Sequence, residues 1–329
     1  MIVDVHTHIF PKIYISRLKE LSARYDFEVK YGDTDLPTIY WNGVDYGPIV
    51  EPAFDPAERI AMLDKAGIDM QLLTNGFPNG DLLGPEDGSA LVRDLNDEMA
   101  EVCTKHPDRF AGMASVYMKE PEEAANELER AVRELGLKGL FTFANIDGTP
   151  ASDRRFRPVI AKAAELDVPI IFHPVVGAKH ELLKNHHFGA LIGFMFEITI
   201  HYANLIYQGI YEEFPNLKMI ATHLGGALPF LAERISWGYN YPDTEHNIPK
   251  NPHEYYKLLY FDTTSFYPPA LDCTHTLAGA DNMLMGSDFP FRIGDLNRAV
   301  TSIRDWDRPE DERKKVLGDN AVRLFKLAG

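Results

Sequence analysis

Residues 1–10 read "MIVDVHTHIF", a short apolar run that carries Asp4, His6 and His8 at alternate positions. In an extended strand alternate side chains share a face, so these three polar groups point one way while Val3 and Val5 point the other. Two imidazoles at the end of a strand are out of place in an ordinary sheet core. They fit the inner wall of a closed barrel, where catalytic groups sit at the C-terminal ends of the strands.

Seven further β-rich runs follow: "MQLLTNG" (70–76), "FAGMASVY" (110–117), "LKGLFTFA" (137–144), "PIIFHPV" (169–175), "KMIATHLGG" (218–226), "LYFDTTS" (259–265) and "NMLMGSDFPF" (282–291). Helical patterns separate them, among them "DPAERIAMLDKAG" with Asp55 as N-cap and Pro56 at the first helical position. Eight strands alternating with helices over 329 residues predict an α/β fold, a (β/α)8 or TIM barrel, as a single domain over 1–329. An open doubly wound sheet would call for a glycine-rich phosphate turn after its first strand, and none is present. The interval from His8 to Asp55 is too long for a βα loop, and "VKYGDTDLPTIYWNGVDYGPIV" (29–50) reads as strands joined by "NG" and "DYG" turns. A small β insertion over 11–54, at the barrel mouth, is the expectation.

Composition narrows the function. With 33 basic and 49 acidic residues the formal charge is -16, and no basic cluster tracks a phosphate backbone, so nucleic acid is not an expected partner. The start of the chain does not look like a leader, and the longest apolar segment, "FGALIGFMFEITI" (188–200), is broken by Glu197. A cytoplasmic protein with no membrane partner is expected. Cys103 and Cys273 form no CxxC pair, which leaves a disulfide framework or thiolate metal site without support.

Other strands end in ligand-type residues too. "IIFHP" places His173 at the top of the fifth, "IATHLGG" places His223 at the top of the sixth, and "LMGSDFP" places Asp288 at the top of the eighth. Imidazole ligates zinc, iron, manganese and nickel alike. A core histidine bonded to a carbonyl would explain any one of them. All five together, these three converging on one pocket with His6 and His8, point to a metal centre, because burying them without a cation leaves many polar atoms unsatisfied. His106, His186, His187, His246, His253 and His275 fall in loops or at element ends, while His180 is placed to reach the pocket rim. Asn75, Phe77, Tyr117, Phe143, Thr264 and Phe291 lie near strand tops as candidate pocket walls, with Arg234 and Arg292 as candidate carboxylate anchors. Such an aromatic pocket with few cations suits a small planar acid.

The motifs "DVHTHIFPK", "FDPAERIAMLDKAGID", "HPDRFAGMASV", "FHPV", "YEEFPNLKMIATHLGGALPFLAERISWGY" and "MGSDFPFRIGDL" span nearly the whole chain. In them the sequence resembles the amidohydrolase superfamily, in the branch that contains aminocarboxymuconate semialdehyde decarboxylase. The resemblance implies that His6, His8, His173 and Asp288 bind one divalent metal, zinc first, with manganese or iron as alternatives. It implies that His223 is an acid/base group beside a metal-bound water; Asp288, with one oxygen on the metal and the other free, can do the same. It also implies a homodimer in which Arg234 reaches the neighbouring subunit's substrate, a pocket aromatic at Phe291, and a mononuclear site, since strand four ends without a bridging residue. One position departs from the pattern: Val50 stands where the decarboxylase has an arginine that grips the substrate carboxylate, so muconate itself is not the expected substrate. The expected activity is a metal-dependent carboxy-lyase, a non-oxidative decarboxylase acting on a small unsaturated or aromatic carboxylic acid. The alternatives are a metal-dependent hydrolase of lactonase or amidase type and a barrel that has lost catalysis.

Overall fold

The structure is a computed structural model, and it describes residues 1–25, 27–31, 36–41, 44–48, 50, 53, 55–175, 183 and 185–327. Eight parallel strands form the barrel: β1 (Val3–Ile9), β2 (Met70–Asn75), β3 (Phe110–Gly112), β4 (Leu140–Phe143), β5 (Ile170–His173), β6 (Met219–Ala221), β7 (Tyr260–Asp262) and β8 (Met283–Leu284). Ladders join β1 to β3 and β4 to β8 in order. Two seams close the ring. At one, Ala114 N donates to Gly139 O and Phe141 N donates to Ala114 O, both at 2.8 Å. At the other, Val5 N donates to Met285 O at 2.9 Å and His8 N donates to Phe289 O at 2.7 Å. Each predicted run overlaps one of the eight, the first, expected over 2–8, being displaced by one residue.

Local chemistry sets the element ends. Asp55 caps the helix Pro56–Ala66 by accepting from Ala57 N at 2.8 Å and Glu58 N at 3.3 Å, and Gly67 ends it at φ +70°. Val3, Val5, Leu72, Ile170 and Ile220 are buried in the main core between barrel and helices. The segment expected to be all β opens instead with a helix, Lys12–Leu21, whose Tyr14, Ile15, Leu18 and Leu21 are buried. Those spacings are helical, and Pro11 at the N-cap position begins the helix. An antiparallel sheet of Phe27–Tyr31, Pro37–Trp41 and Val44–Pro48 follows. Phe27 and Ile39 from this sheet share a second core with Phe10, Tyr14, Leu18, Leu91 and Leu95, which seats the segment over the helix Pro85–Lys105.

The helix Phe194–Tyr207 packs Ile198, Tyr202 and Leu205 inward, behind β5. It also buries His201, which packs tilted against Phe172 at 4.3 Å between ring centroids and has no hydrogen-bond partner for either ring nitrogen among the described residues. Burial pushes this imidazole down to about 3, below the ordinary histidine range. A histidine that resists protonation only when folded stabilises the fold above pH ~6.5, and that contribution drains away as pH falls toward 3. Between pH 7.5 and 5 this group alone should cost about 2 kcal/mol. His201→Leu should remove that loss, so the stability difference between variant and wild type, read from urea unfolding, should move by this amount between the two pH values. An identical difference at both would refute it.

Candidate active site

The strand ends bring four imidazoles and two carboxylates together at the C-terminal mouth of the barrel. His6 and His8 come from β1, His173 closes β5, His223 follows β6, Asp262 closes β7 and Asp288 follows β8, and all six are at least nine-tenths buried. Gly286 lets the chain after β8 approach this closely: a Cβ there would stand 2.7 Å from Thr264 Oγ1 and 2.9 Å from the Cβ of His6. Asp288 and His223 adopt left-handed backbone at φ +59° and +55°. That conformation is costly for non-glycine residues and is held by its surroundings. Asp288 N donates to His6 O at 2.8 Å, and His223 N donates to Asp262 Oδ1 at 2.8 Å.

One potential ligand atom each from His6, His8, His173 and Asp288 lies within 4.8 Å of the other three. Asp288 Oδ1 is 3.5 Å from His6 Nε2 and 3.3 Å from His8 Nε2. Ligands about 2.1 Å from a shared cation stand roughly 3.4 Å apart in tetrahedral geometry, so this spacing is that of a coordination shell. The remaining nitrogens fix the tautomers. His173 Nδ1 is 2.7 Å from Pro174 O, which can only accept, and His6 Nδ1 is 2.6 Å from Asp262 Oδ2. His8 Nδ1 is 3.1 Å from Thr74 Oγ1, whose own proton goes to Thr7 O. Each Nδ1 therefore carries a proton, which leaves each Nε2 turned toward the others as the nitrogen that can take a cation. The three Nε2 atoms and Asp288 Oδ1 are buried with no hydrogen-bond partner among the described residues. Four such atoms converging without a partner call for positive charge between them, which a metal ion or, on His6, a second proton can supply.

The electrostatics agree. Burial would raise the Asp288 carboxyl, but His6, His223 and His8 outweigh it and hold the group well below the usual carboxylate range. Burial holds the His8 and His173 imidazoles below their ordinary range, neutral and able to ligate. Burial also pulls on His6, yet Asp262 and Asp288 overcome it and raise that ring to about 9. The negative charge that draws a proton to His6 would equally hold a metal at its Nε2.

His223 stands apart from the ligand set. Its Nε2 is 3.5 Å from Asp288 Oδ2, the oxygen not turned to the ligands, and its Nδ1 has no partner among the described residues. Aromatic rings flank two of the ligand histidines: Phe291 lies 4.9 Å from the His8 ring, Phe141 5.7 Å from His173, and Phe143 6.0 Å from His173 with Phe77 against it at 5.9 Å. Asn75 is buried with neither amide atom bonded among the described residues, and with Phe141 and Phe143 it lines a small cavity. Thr264 Oγ1 reaches within 3.4 Å of His6 Nδ1.

Other candidates are placed elsewhere. Tyr117 donates to Leu83 O and packs against Gly88, outside the mouth. Arg234 and Arg292 are exposed and form no ion pair or hydrogen bond among the described residues, so neither is engaged in its own chain's site. Val50 packs with Phe10 and Phe291 in an apolar cluster, where an anchoring arginine was missing from the sequence. His180 lies outside the described residues. Sequence reading passed over Asp262, which orients both His6 and His223; the signal was the aspartate of "LYFDTTS" at the top of strand seven.

The model of the family described as amidohydrolase matches residues 3–327. The chain belongs to the amidohydrolase family. A 2-amino-3-carboxymuconate-6-semialdehyde decarboxylase of Dictyostelium discoideum is 29% identical to this amidohydrolase over 334 residues, covering 99% of this chain and 91% of the relative. A gamma-resorcylate decarboxylase of Rhodococcus jostii (strain RHA1) is 30% identical over 288 residues, covering 82% of this chain and 87% of the relative. The crystal structure of 5-carboxyvanillate decarboxylase from Sphingomonas paucimobilis superposes with a TM-score of 0.88 at 25% identity, over 100% of this chain and 99% of that one. A second 5-carboxyvanillate decarboxylase, from Novosphingobium aromaticivorans, shares the fold at a TM-score of 0.85 and 23% identity, over 99% of this chain and 97% of that one, and holds bound manganese. The amidohydrolase described here is an enzyme with a single divalent-metal site.

Proposed function

We propose that this amidohydrolase is a non-oxidative, metal-dependent decarboxylase of a small aromatic carboxylic acid. The observation that carries the reading is the set of four unsatisfied ligand atoms facing one another at the barrel mouth, beside His223 and a wall of phenylalanines. The decarboxylases among its relatives support it. The cation, when bound, supplies positive charge that fixes the acid and stabilises negative charge developing on it. Phe141, Phe143 and Phe291 exclude water and seat a planar ring. His223 delivers a proton to the ring carbon that bears the carboxylate; the bond to the carboxyl carbon breaks, its electron pair returns to the ring, and CO2 departs. Asp288 Oδ2, next to His223 Nε2, orients the imidazole for that transfer.

Three finer readings accompany it. The metal is zinc, with manganese or iron as alternatives. The protein is a cytoplasmic homodimer. In support of the dimer, Phe230 (82% exposed) and Trp237 (61%) share a helix face with Arg234, and Phe196 and Ile200 are half-exposed or more on the packed neighbouring helix, an apolar area that a second copy would cover.

The test is a panel of hydroxybenzoic acids, unsaturated diacids and lactones assayed in parallel for CO2 release and base consumption. CO2 with no hydrolytic product is expected. Base consumption with no CO2 would assign the site to hydrolysis instead.

A further inference from the structure

Beneath the metal centre lies a chain of buried polar groups that reaches none of the four ligand atoms. Arg59, fully buried on the helix Pro56–Ala66, donates from Nη1 to Thr7 Oγ1 at 3.1 Å and to Gln71 Oε1 at 2.9 Å. Its Nη2 donates to the carbonyl of His8, and its guanidinium lies 5.0 Å over the Phe289 ring. Gln71 Nε2 passes the chain on to Asp4 Oδ2 at 2.8 Å. Asp4 then grips the segment after β8, accepting from Ser287 Oγ at 2.6 Å and from Ser287 N at 3.0 Å. Ser287 Oγ in turn accepts from Phe289 N at 3.2 Å.

The path therefore runs from the carbonyl of one histidine ligand, His8, to the two residues that flank the carboxylate ligand, Asp288. Stability alone is a poor reason for it, since a buried guanidinium and carboxylate bear a desolvation cost that well-packed apolar side chains avoid. Their position supplies the better reason: β1 and the segment after β8 meet at the closing seam, and a lateral slip between them would separate His6 and His8 from Asp288. The geometry points to Arg59, Gln71, Asp4 and Ser287 as positioning residues that set the spacing of the metal-ligating atoms. This rests on the metal-centre reading above and adds to it which buried residues tune the affinity.

The test uses the full chain, stripped of metal by chelator and titrated with Mn2+ alone, its dissociation constant read by calorimetry and its unfolding midpoint measured on the metal-free form. Ser287→Ala and Arg59→Lys should each weaken Mn2+ binding by about 10- to 100-fold. Arg59→Lys keeps the charge but cannot span the three acceptors. Asn96→Leu, which breaks bonds to Ser115 O and Glu127 and touches none of the metal-ligating residues or the chain that leads to them, provides a destabilised control that should keep the wild-type constant. Should Arg59→Lys fail to fold, Ser287→Ala decides, because it deletes one hydroxyl. Variants that lose stability as the control does yet bind Mn2+ within twofold of wild type would overturn the positioning role and leave the metal centre standing. A wild type that takes up no Mn2+ would overturn both.

Discussion

Asp288→Ala is expected to lose at least about 10,000-fold in kcat/KM and to retain almost no metal. Two effects add. Asp288 Oδ1 is the one carboxylate atom among the four ligands, and without it three neutral imidazoles must hold the cation with less charge. Its other oxygen stands 3.5 Å from His223 Nε2, so the ring proposed to deliver the proton loses its neighbour as well. The variant should fold, because Asp262 continues to bind His6 Nδ1 and the backbone of His223. Metal analysis and CO2 release on the same sample check both effects. A full equivalent of metal with more than a tenth of the wild-type rate would mean that the carboxylate serves neither purpose.

His223→Asn separates chemistry from binding. Asparagine keeps a polar side chain of similar reach but cannot donate a proton as imidazolium does, and loss of a general acid typically costs 100- to 10,000-fold, or about 3 to 5 kcal/mol of barrier. A loss in kcat of about a thousandfold is expected, with metal content and KM close to wild type, because His223 Nε2 faces Asp288 Oδ2 and lies outside the ligand set. Parallel loss of the metal would show instead that His223 is a ligand.

Much of this architecture was legible in the residues themselves. Alternation in "DVHTH" aimed His6 and His8 at one side, and the rhythm of eight apolar runs required a closed ring whose strand tops gather His173, His223 and Asp288. Side-chain type and period carry that information. What stayed hidden depends on partners that sequence spacing does not relate. Asp262 looked like an ordinary strand residue until the ring closed and set it 2.6 Å from His6, 256 positions away. Arg59 drew no notice within the helical pattern "DPAERIAMLDKAG", yet it is fully buried and bonded across to β1. The helix Lys12–Leu21 was overlooked because the turn signals after it drew the whole interval toward strands. Arg234, which the resemblance implied, and Arg292, chosen for its charge, are both exposed; bringing either to a pocket through a second subunit is a property of the assembly, which a single chain's pattern does not encode.

The most direct measurement is elemental analysis of protein purified without chelators, beside the double variant His6→Ala/His8→Ala prepared in the same way. One equivalent of a divalent metal per chain is expected in the wild type, falling to near zero in the variant, with activity following the metal. Less than a tenth of an equivalent in active wild-type enzyme, or a full equivalent that survives the loss of both histidines, would contradict the metal centre on which the proposed chemistry depends.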